Sequence, residues 1–124
     1  MAKFIMTGLN AYRATLGLSQ LTWSDSYYAR ILAHTKYQVD AQTISHDGFY
    51  ERAANCRAAA ENVAMFGGYK VTDQQGADKF MTMWRTSPGH DANMRNTSVN
   101  QAVVAVIYSQ QQDAYYSTMF LLKE

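Results

Sequence analysis

Apolar residues recur at three- and four-residue spacing in three stretches of the chain, which predicts three amphipathic helices. The first helix is expected from about Lys3 to Leu16, the second from Ser24 or Asp25 onward, and the third after Thr72. The positions expected to be buried are Phe4, Ile5, Leu9, Tyr12 and Leu16 in the first helix; Tyr27, Tyr28, Ile31, Leu32, Thr35 and Val39 in the second; and Ala77, Phe80, Met81 and Trp84 in the third.

The helix starts carry capping signals of their own. Thr72 and Gln75 form a T-x-x-Q pattern, which predicts a capping box at the start of the third helix. A short fourth helix is expected to begin with Ser87 as N-cap and Pro88 at its first position, where the missing N–H of proline costs nothing. This helix is expected to end near Arg95.

The last quarter of the chain changes to runs typical of strands. "QAVVAVIYS" and "YYSTMFLL" are rich in β-branched and aromatic residues and are separated by "QQQDA", which predicts an antiparallel hairpin. Both runs are nearly continuous in apolar residues, so we expect the sheet to be covered on both faces. An earlier segment, "AAAENVAM", is compatible with a helix or with a short extended piece. Helices followed by antiparallel strands indicate the α+β class.

Composition and charge narrow the class of protein. The 124 residues fit a single domain, and 11 basic against 10 acidic side chains give a net charge of +1 without a Lys/Arg run, which argues against a nucleic-acid partner. No apolar run approaches the ~18 residues of a transmembrane helix, and "MAKFIMTGLN" is too short in its apolar part to predict a signal peptide. The one cysteine, Cys56, excludes an intramolecular disulfide and is expected in or near the core.

The three histidines differ in their surroundings. His34 lies within the second helix, where a partly exposed side chain without a special role is expected. His46 precedes the turn signal Asp47-Gly48, so it is expected at the end of an element, either as a surface turn residue or as a ligand. His90 would be the third residue of the fourth helix, where the helix dipole disfavours imidazolium. A neutral ring is what a metal ion needs, although these residues would also fit a plain helix start.

Glu61 is the one acid embedded in an apolar stretch, "AAAENVA". A carboxylate in such surroundings must be paired, hydrogen-bonded or protonated, so Glu61 is either a structural anchor or a candidate catalytic acid/base. Asn62 beside it is expected to bond to the backbone. His46, His90 and Glu61 together form a candidate constellation, but their spacing alone is a weak signal because no short metal motif is present.

Five segments now stand in order along the chain: "LNAYRATLGLSQLTW", "SHDGFYERA", "AAAENVA", "MWRTSPGHDANM" and "YYSTMF". Together they resemble the CAP superfamily, also called SCP/TAPS (cysteine-rich secretory proteins, antigen 5 and pathogenesis-related 1). The form W-x-x-S-P-G-H and the absence of cysteine pairs are similar to the compact branch common in microbes. The resemblance implies a single CAP domain over residues 1–124.

The resemblance also implies a three-layer α-β-α sandwich with an antiparallel central sheet and a cleft. His46 and His90 would meet in that cleft and could hold a zinc ion, with Glu61 beside them. Asn62, Trp84 and Ser87 are further cleft positions on this basis. A secreted, extracellular protein is expected from the same resemblance.

One position departs from the family pattern. Relatives often carry a second glutamate three residues after the tryptophan of the third helix, and here that position is Ser87, three residues after Trp84. Glu51 is an acid nearby in the sequence, but no motif assigns it to the site. A site with four acid/base groups is therefore not expected.

Four functions are compatible with these observations. The first is a cleft that binds a divalent metal, zinc above all, weakly or opportunistically, because two protein ligands are fewer than the three of typical catalytic zinc sites. The second is an extracellular lipid or sterol carrier, and the third a metal-assisted hydrolase that uses Glu61. The fourth is a module that contacts a protein partner through loops such as "FGGYKVTD". A monomer that is not an enzyme is favoured.

Overall fold

A computed structural model describes all residues, 1–124, and arranges them in three layers. A four-stranded sheet forms the middle layer, and helices cover both of its faces. The elements in chain order are α1 (Ala2–Thr15), β1 (Thr22–Trp23), α2 (Asp25–Ala41), α3 (Phe49–Arg52), β2 (Ala58–Gly67), α4 (Asp73–Arg85), α5 (Pro88–Met94), β3 (Gln101–Ser109) and β4 (Ala114–Lys123). The predicted α-β-α sandwich is confirmed. None of the helices combines the length and the apolar character that crossing a bilayer requires.

The strand order in the sheet is β1-β3-β4-β2. β4 pairs antiparallel with both β3 and β2, as the hairpin pattern predicts. The expectation of a purely antiparallel sheet is wrong, because β1 runs parallel to β3 and pairs Thr22 with Gln101. The connection from α1 to α2 contains β1, which has only two residues and is too short to show a pattern in the sequence. β2, which is also the segment "AAAENVAM" left open above, forms the opposite edge of the sheet.

The core lies on both faces of the sheet, as the apolar runs of β3 and β4 predict. α1 and α4 pack on one face, where Phe80, Trp84 and Met119 are fully buried. α2 packs on the other face, where Ile31 and Phe120 meet. Burying this apolar surface on two faces is the main favourable term in folding at this chain length.

The buried face of α1 differs from the predicted one. Ile5 and Leu9 are fully buried, but Phe4 and Leu16 are 46% and 36% exposed. Arg13 is fully buried instead, because its guanidinium donates to the carbonyls of Ser19, Met94 and Asn96. Polar residues also enter the buried face of α2, where Tyr28, Leu32 and Val39 are only half-buried. The stripe predicted for α4 is buried at all four positions.

The helix starts lie where the sequence predicts them. Thr72 and Gln75 form both bonds of a capping box at α4. Ser87 occupies the N-cap of α5 and Pro88 its first position, but the Ser87 side chain makes no capping hydrogen bond. Cys56 is half-buried, with its Sγ 3.3 Å from the hydroxyl of Tyr27, near the core as expected.

Candidate functional site

The candidate site forms at the free edge of β2. Side chains alternate between the faces of a strand, so Glu61 points toward the layer of α2 and α3, and Asn62 points toward α4 and α5. Glu61 accordingly contacts Arg52 and His46, whereas Asn62 donates to the carbonyl of His90 at 3.1 Å. The bond to the His90 backbone is the kind expected for Asn62. Side chains from both helical layers of the sandwich therefore lie near the same edge, that of β2.

Arg52 holds the carboxylate of Glu61 with two hydrogen bonds. Its Nε donates to Oε1 at 2.8 Å and its Nη2 donates to Oε2 at 2.7 Å. The side chains are only 9% and 1% exposed, so the pair is buried. A bidentate guanidinium–carboxylate contact is a strong, geometrically specific arrangement. The sequence reasoning missed the role of Arg52, although a buried acid needs a cation and Arg52 stands in the segment before it.

His46 completes the hydrogen bonds of Glu61. Its Nδ1 lies 2.9 Å from Oε2, and since a carboxylate only accepts, Nδ1 carries the hydrogen and donates it. The neutral form of the ring then has its lone pair on Nε2. The His46 side chain is 51% exposed, so the ring reaches into the cleft. The contact with Glu61 therefore fixes both the tautomer and the orientation of the ring.

The loop that carries His46 is tied down by buried polar side chains. His34 bonds through Nε2 to the carbonyl of Ser45 at 2.7 Å, and the Gln38 side chain accepts from the Ser45 N–H at 3.0 Å. Arg52 Nη1 donates to the carbonyl of Asp47 at 2.6 Å and to Nδ1 of His34 at 3.1 Å. The backbone on either side of His46 is thus anchored to α2 and α3.

His34 is therefore not the partly exposed side chain that its helical position predicts. It is 5% exposed. Burial lowers the pKa of His34, and the neighbouring charge of Arg52 acts in the same direction, while the bond to Ser45 opposes both. A neutral ring with its hydrogen on Nε2 satisfies both of its bonds, since it can donate to Ser45 and accept from Arg52.

His90 stands at the third position of α5, as predicted, and its half-buried ring faces a cavity of about 200 Å³ that Ile44, Trp84 and Ser87 also line. Burial lowers the pKa of His90, and the charge of His46 lowers it further. The expected neutral ring thus has burial as its main cause.

Trp84 and Ser87 contribute to this region in different ways. Trp84 is fully buried, and its indole N–H donates to the carbonyl of Val63 on β2 at 3.2 Å. Ser87 lines the His90 cavity. Trp84 is thus mainly a core residue that closes part of the β2 edge, and Ser87 offers a hydroxyl where relatives often carry a carboxylate.

A larger cavity, about 610 Å³, has His46 in its lining. Its lining includes the acid Glu51, so this residue does reach the site region although no motif assigns it there. The lining residues are His46, Gly48, Phe49, Tyr50, Glu51, Ala59, Ala60, Glu61 and Asn93.

The side chains at the edge give a limited set of metal donors. No group of three or more His, Cys, Asp or Glu side chains is arranged to hold a metal ion. Both oxygens of Glu61 already accept hydrogen bonds from Arg52 and His46. Of the predicted ligands, His46 keeps its Nε2 and His90 keeps both ring nitrogens without a hydrogen-bond partner in the protein.

The family model of the cysteine-rich secretory protein family, CAP, matches residues 6–120. The chain belongs to this CAP family. Its single cysteine and the bacterial origin of the structures below fit the compact type without disulfides. No curated protein sequence matches the chain.

Three solved bacterial structures are similar to this CAP domain. An outer surface protein from Borrelia burgdorferi superimposes with a TM-score of 0.80 at 16% identity, covering 98% of this chain and 92% of its own. An extracellular protein containing an SCP domain from Bacillus anthracis superimposes with a TM-score of 0.79 at 23% identity, and the match covers 99% of this chain and 40% of that protein. A cysteine-rich secretory protein from Staphylococcus aureus superimposes with a TM-score of 0.68 at 19% identity, and the match covers 97% of this chain and 37% of that protein. At these identities the similarity establishes a common fold.

Proposed function

We propose that this CAP domain acts outside the cell as a binding domain whose cleft takes up a divalent metal ion, zinc above all, through His46 and His90. The observation that carries the proposal is the 2.9 Å contact between His46 Nδ1 and Glu61 Oε2. A metal-ligating histidine commonly donates its other ring N–H to a carboxylate in this way. His46 is thereby prepared as a ligand before any ion arrives.

His90 supports the same proposal through its protonation state. Only a neutral imidazole can ligate, and burial lowers the pKa of His90, which keeps the ring neutral at neutral pH. Burial also limits competing hydration of its ring. The two histidines come from opposite layers of the sandwich, so an ion held by both would lie at the β2 edge.

The same geometry limits the affinity. Two imidazoles are fewer than the three or four protein ligands of typical zinc sites. Both oxygens of Glu61 already accept hydrogen bonds from Arg52 and His46. We therefore expect weak, reversible binding. When bound, zinc would supply Lewis-acid chemistry. The residues of this chain hold and orient the donors.

Calorimetric titration with zinc at pH 7.5 tests the proposal. The wild type should give a saturable heat, and His90→Ala should lose about tenfold or more in affinity, because even altering a hydrogen-bond partner of a ligand costs about 10–100-fold. His46→Asn is a matched variant: its amide can still donate to Glu61 from near the Nδ1 position, but it lacks the Nε2 nitrogen. It should lose zinc binding and keep its thermal stability. Equal heats for all three proteins would contradict the proposal.

The extracellular location is part of the proposal. Two of the structurally similar proteins are described as extracellular or secretory, and one as an outer surface protein. Fractionation of the producing cells, followed by detection of the chain in the medium or on the surface, is the direct measurement. Recovery in the cytosol alone would contradict it.

The geometry favours the hydrolase and the lipid or sterol carrier less. A hydrolase would need Glu61 to activate water, but both of its oxygens are engaged by Arg52 and His46. A lipid or sterol carrier needs a largely apolar site, and the cavity beside His46 includes Glu51, Glu61 and Asn93 in its lining. Zinc binding by the two histidines is the function the arrangement supports best.

A further inference from the structure

The free edge of β2 carries backbone groups that the sheet does not use. β2 is the outermost strand and pairs only with β4. The N–H of Gly68 donates to the carbonyl of Asp113. Because alternate residues of an antiparallel strand bond to the same partner strand, the backbone groups of even-numbered residues in this segment bond to β4 and those of odd-numbered residues point outward. The N–H and C=O groups of Ala59, Glu61, Val63 and Met65 therefore point away from the sheet.

Side chains of the helical layers cover part of this edge and leave part of it open. Trp84 donates to the carbonyl of Val63 at 3.2 Å, and Asn93 donates to that of Glu61 at 3.4 Å. No side chain bonds to the N–H or C=O of Ala59. Exposed strand edges are normally covered or blocked, because an uncovered edge pairs with other extended chains. The uncovered part of this edge coincides with the 610 Å³ cavity, since Ala59, Ala60 and Glu61 line it.

The cavity also has a distinct charge. Among its lining residues, Glu61 is neutralised by Arg52, whereas Glu51 forms no ion pair. Arg30 and Asp47 lie in a neighbouring cavity that shares Glu51. Tyr50, beside Glu51 in sequence, is 85% exposed and packs edge-on against Phe49 at 5.8 Å between ring centroids. An unpaired carboxylate next to an exposed aromatic ring favours a cation with an apolar stem.

We propose that the cleft binds an extended peptide segment with a basic side chain, which pairs through its backbone with Ala59 at the free edge of β2. Two main-chain hydrogen bonds to Ala59 and one to the N–H of Glu61 provide the pairing, and the cavity receives a side chain. The basic group meets Glu51, and its stem lies on Tyr50. Alanines at positions 58, 59 and 60 leave room for the incoming chain.

This peptide site adjoins the proposed metal site, since His46 and Glu61 line the same cavity, but its contacts use backbone groups and Glu51 and need no ion. Peptide binding is therefore tested with a chelator present, so that it is measured without zinc. Failure of peptide binding and failure of zinc binding can then be distinguished. The probe is a blocked hexapeptide of alternating valine and lysine, added to ¹⁵N-labelled full-length protein and followed by amide chemical shifts. A hexapeptide of alternating valine and glutamate is the comparison.

The lysine peptide should shift the amide signals of Ala59 and Glu61 saturably, and the glutamate peptide should not. A lysine peptide methylated at its backbone nitrogens should also fail to bind, because it cannot donate to the edge. No saturable shift at Ala59 with millimolar lysine peptide would overturn the proposal. So would equal binding of the two unmethylated peptides, or shifts confined to the groove between α1 and α4 that Tyr12 and Asp78 line.

Two variants test the same proposal from the protein side. Glu51→Gln should weaken the lysine peptide about two- to fivefold, the range for an exposed ion pair. Asp78→Asn, which makes the same charge change on α4, should leave its affinity unchanged. Ala59→Pro removes one outward N–H and no ladder bond, so it should weaken binding about three- to tenfold while thermal unfolding shows a folded protein. Equal affinities for wild type and Glu51→Gln would remove the assigned role of that acid.

Discussion

At the scale of single residues, the site depends on how the charge of Glu61 is compensated. The carboxylate is almost fully buried, and Arg52 and His46 together satisfy both of its oxygens. Arg52 also supports the loop on either side of His46 through its bond to Asp47. One guanidinium thus neutralises a buried acid and positions the histidine that the acid orients.

Removing Arg52 should therefore lower the free energy of unfolding by more than the loss of its own hydrogen bonds. We expect Arg52→Met to lower the free energy of unfolding by about 3–5 kcal/mol, because it leaves the buried charge of Glu61 without its cation. Urea denaturation measures this loss. The double variant Arg52→Met/Glu61→Leu should recover much of it, since replacing both members of a buried pair by apolar groups is often tolerated. If the single and double variants were equally unstable, the loss would come from the loop and not from the charge.

Sequence reasoning at this scale singles out Glu61, His46 and His90 as candidates, but it does not predict the residues that surround them. Glu61 stands out because an acid in an apolar run is unusual, and His46 and His90 stand out by motif. Arg52 and His34 do not, because arginine is ordinarily exposed and a histidine in a helix is ordinarily at least partly exposed. Their burial follows from tertiary contacts that no local pattern encodes.

At the scale of elements, the helix starts show the difference between a capping residue and a capping bond. Thr72 makes both bonds of its box with Gln75, whereas Ser87 has the position of an N-cap without the side-chain bond. The sequence predicts the two positions equally well. Only the side-chain geometry distinguishes them.

This difference predicts unequal costs of mutation. Thr72→Ala should lower the free energy of unfolding by about 1 kcal/mol, and Ser87→Ala by a few tenths at most, because only the first loses a hydrogen bond to the helix. Chemical denaturation of the two variants under the same conditions is the measurement. Losses of similar size would show that Ser87 caps α5 in solution.

The sequence leaves β2 ambiguous and does not predict β1 or α3, and the physical reasons are related. β2 lies between two helical layers, so its apolar residues do not alternate and its pattern is as compatible with a helix as with a strand. β1 has two residues and α3 has four, which is less than one period of any amphipathic signal. The long stripe of α4 lies wholly in the core, and it was predicted without error.

At the scale of the whole molecule, protonation of buried histidines affects the stability of the fold. His34 lies among Arg52, Tyr37, Ser45, Glu61 and His46, and burial lowers its pKa. The pKa of His90 is lowered as well. In the unfolded chain both rings take up protons at their ordinary pKa, near 6.5. Acid therefore favours the unfolded state before it protonates the folded one.

We accordingly expect the free energy of unfolding to be highest above about pH 6.5 and to fall as the pH drops toward 5. Urea denaturation at several pH values measures the slope. His34→Gln, whose amide can still donate to Ser45, should show a shallower slope in this interval than the wild type. An unchanged slope would mean that His34 does not titrate differently in the folded and unfolded states.

The pairing of β2 with β4 also determines when β2 can join the sheet during synthesis, because β4 is made later. β2 has no other strand partner, and β4 follows it by roughly 50 residues, which a ribosome adds in several seconds at about 5–20 residues per second. During that interval the segment around Glu61 has emerged without the strand that fixes it, while its alanine-rich run remains available to other chains. The site therefore forms late in synthesis, and until β4 is made the segment around Glu61 is open to association with other chains.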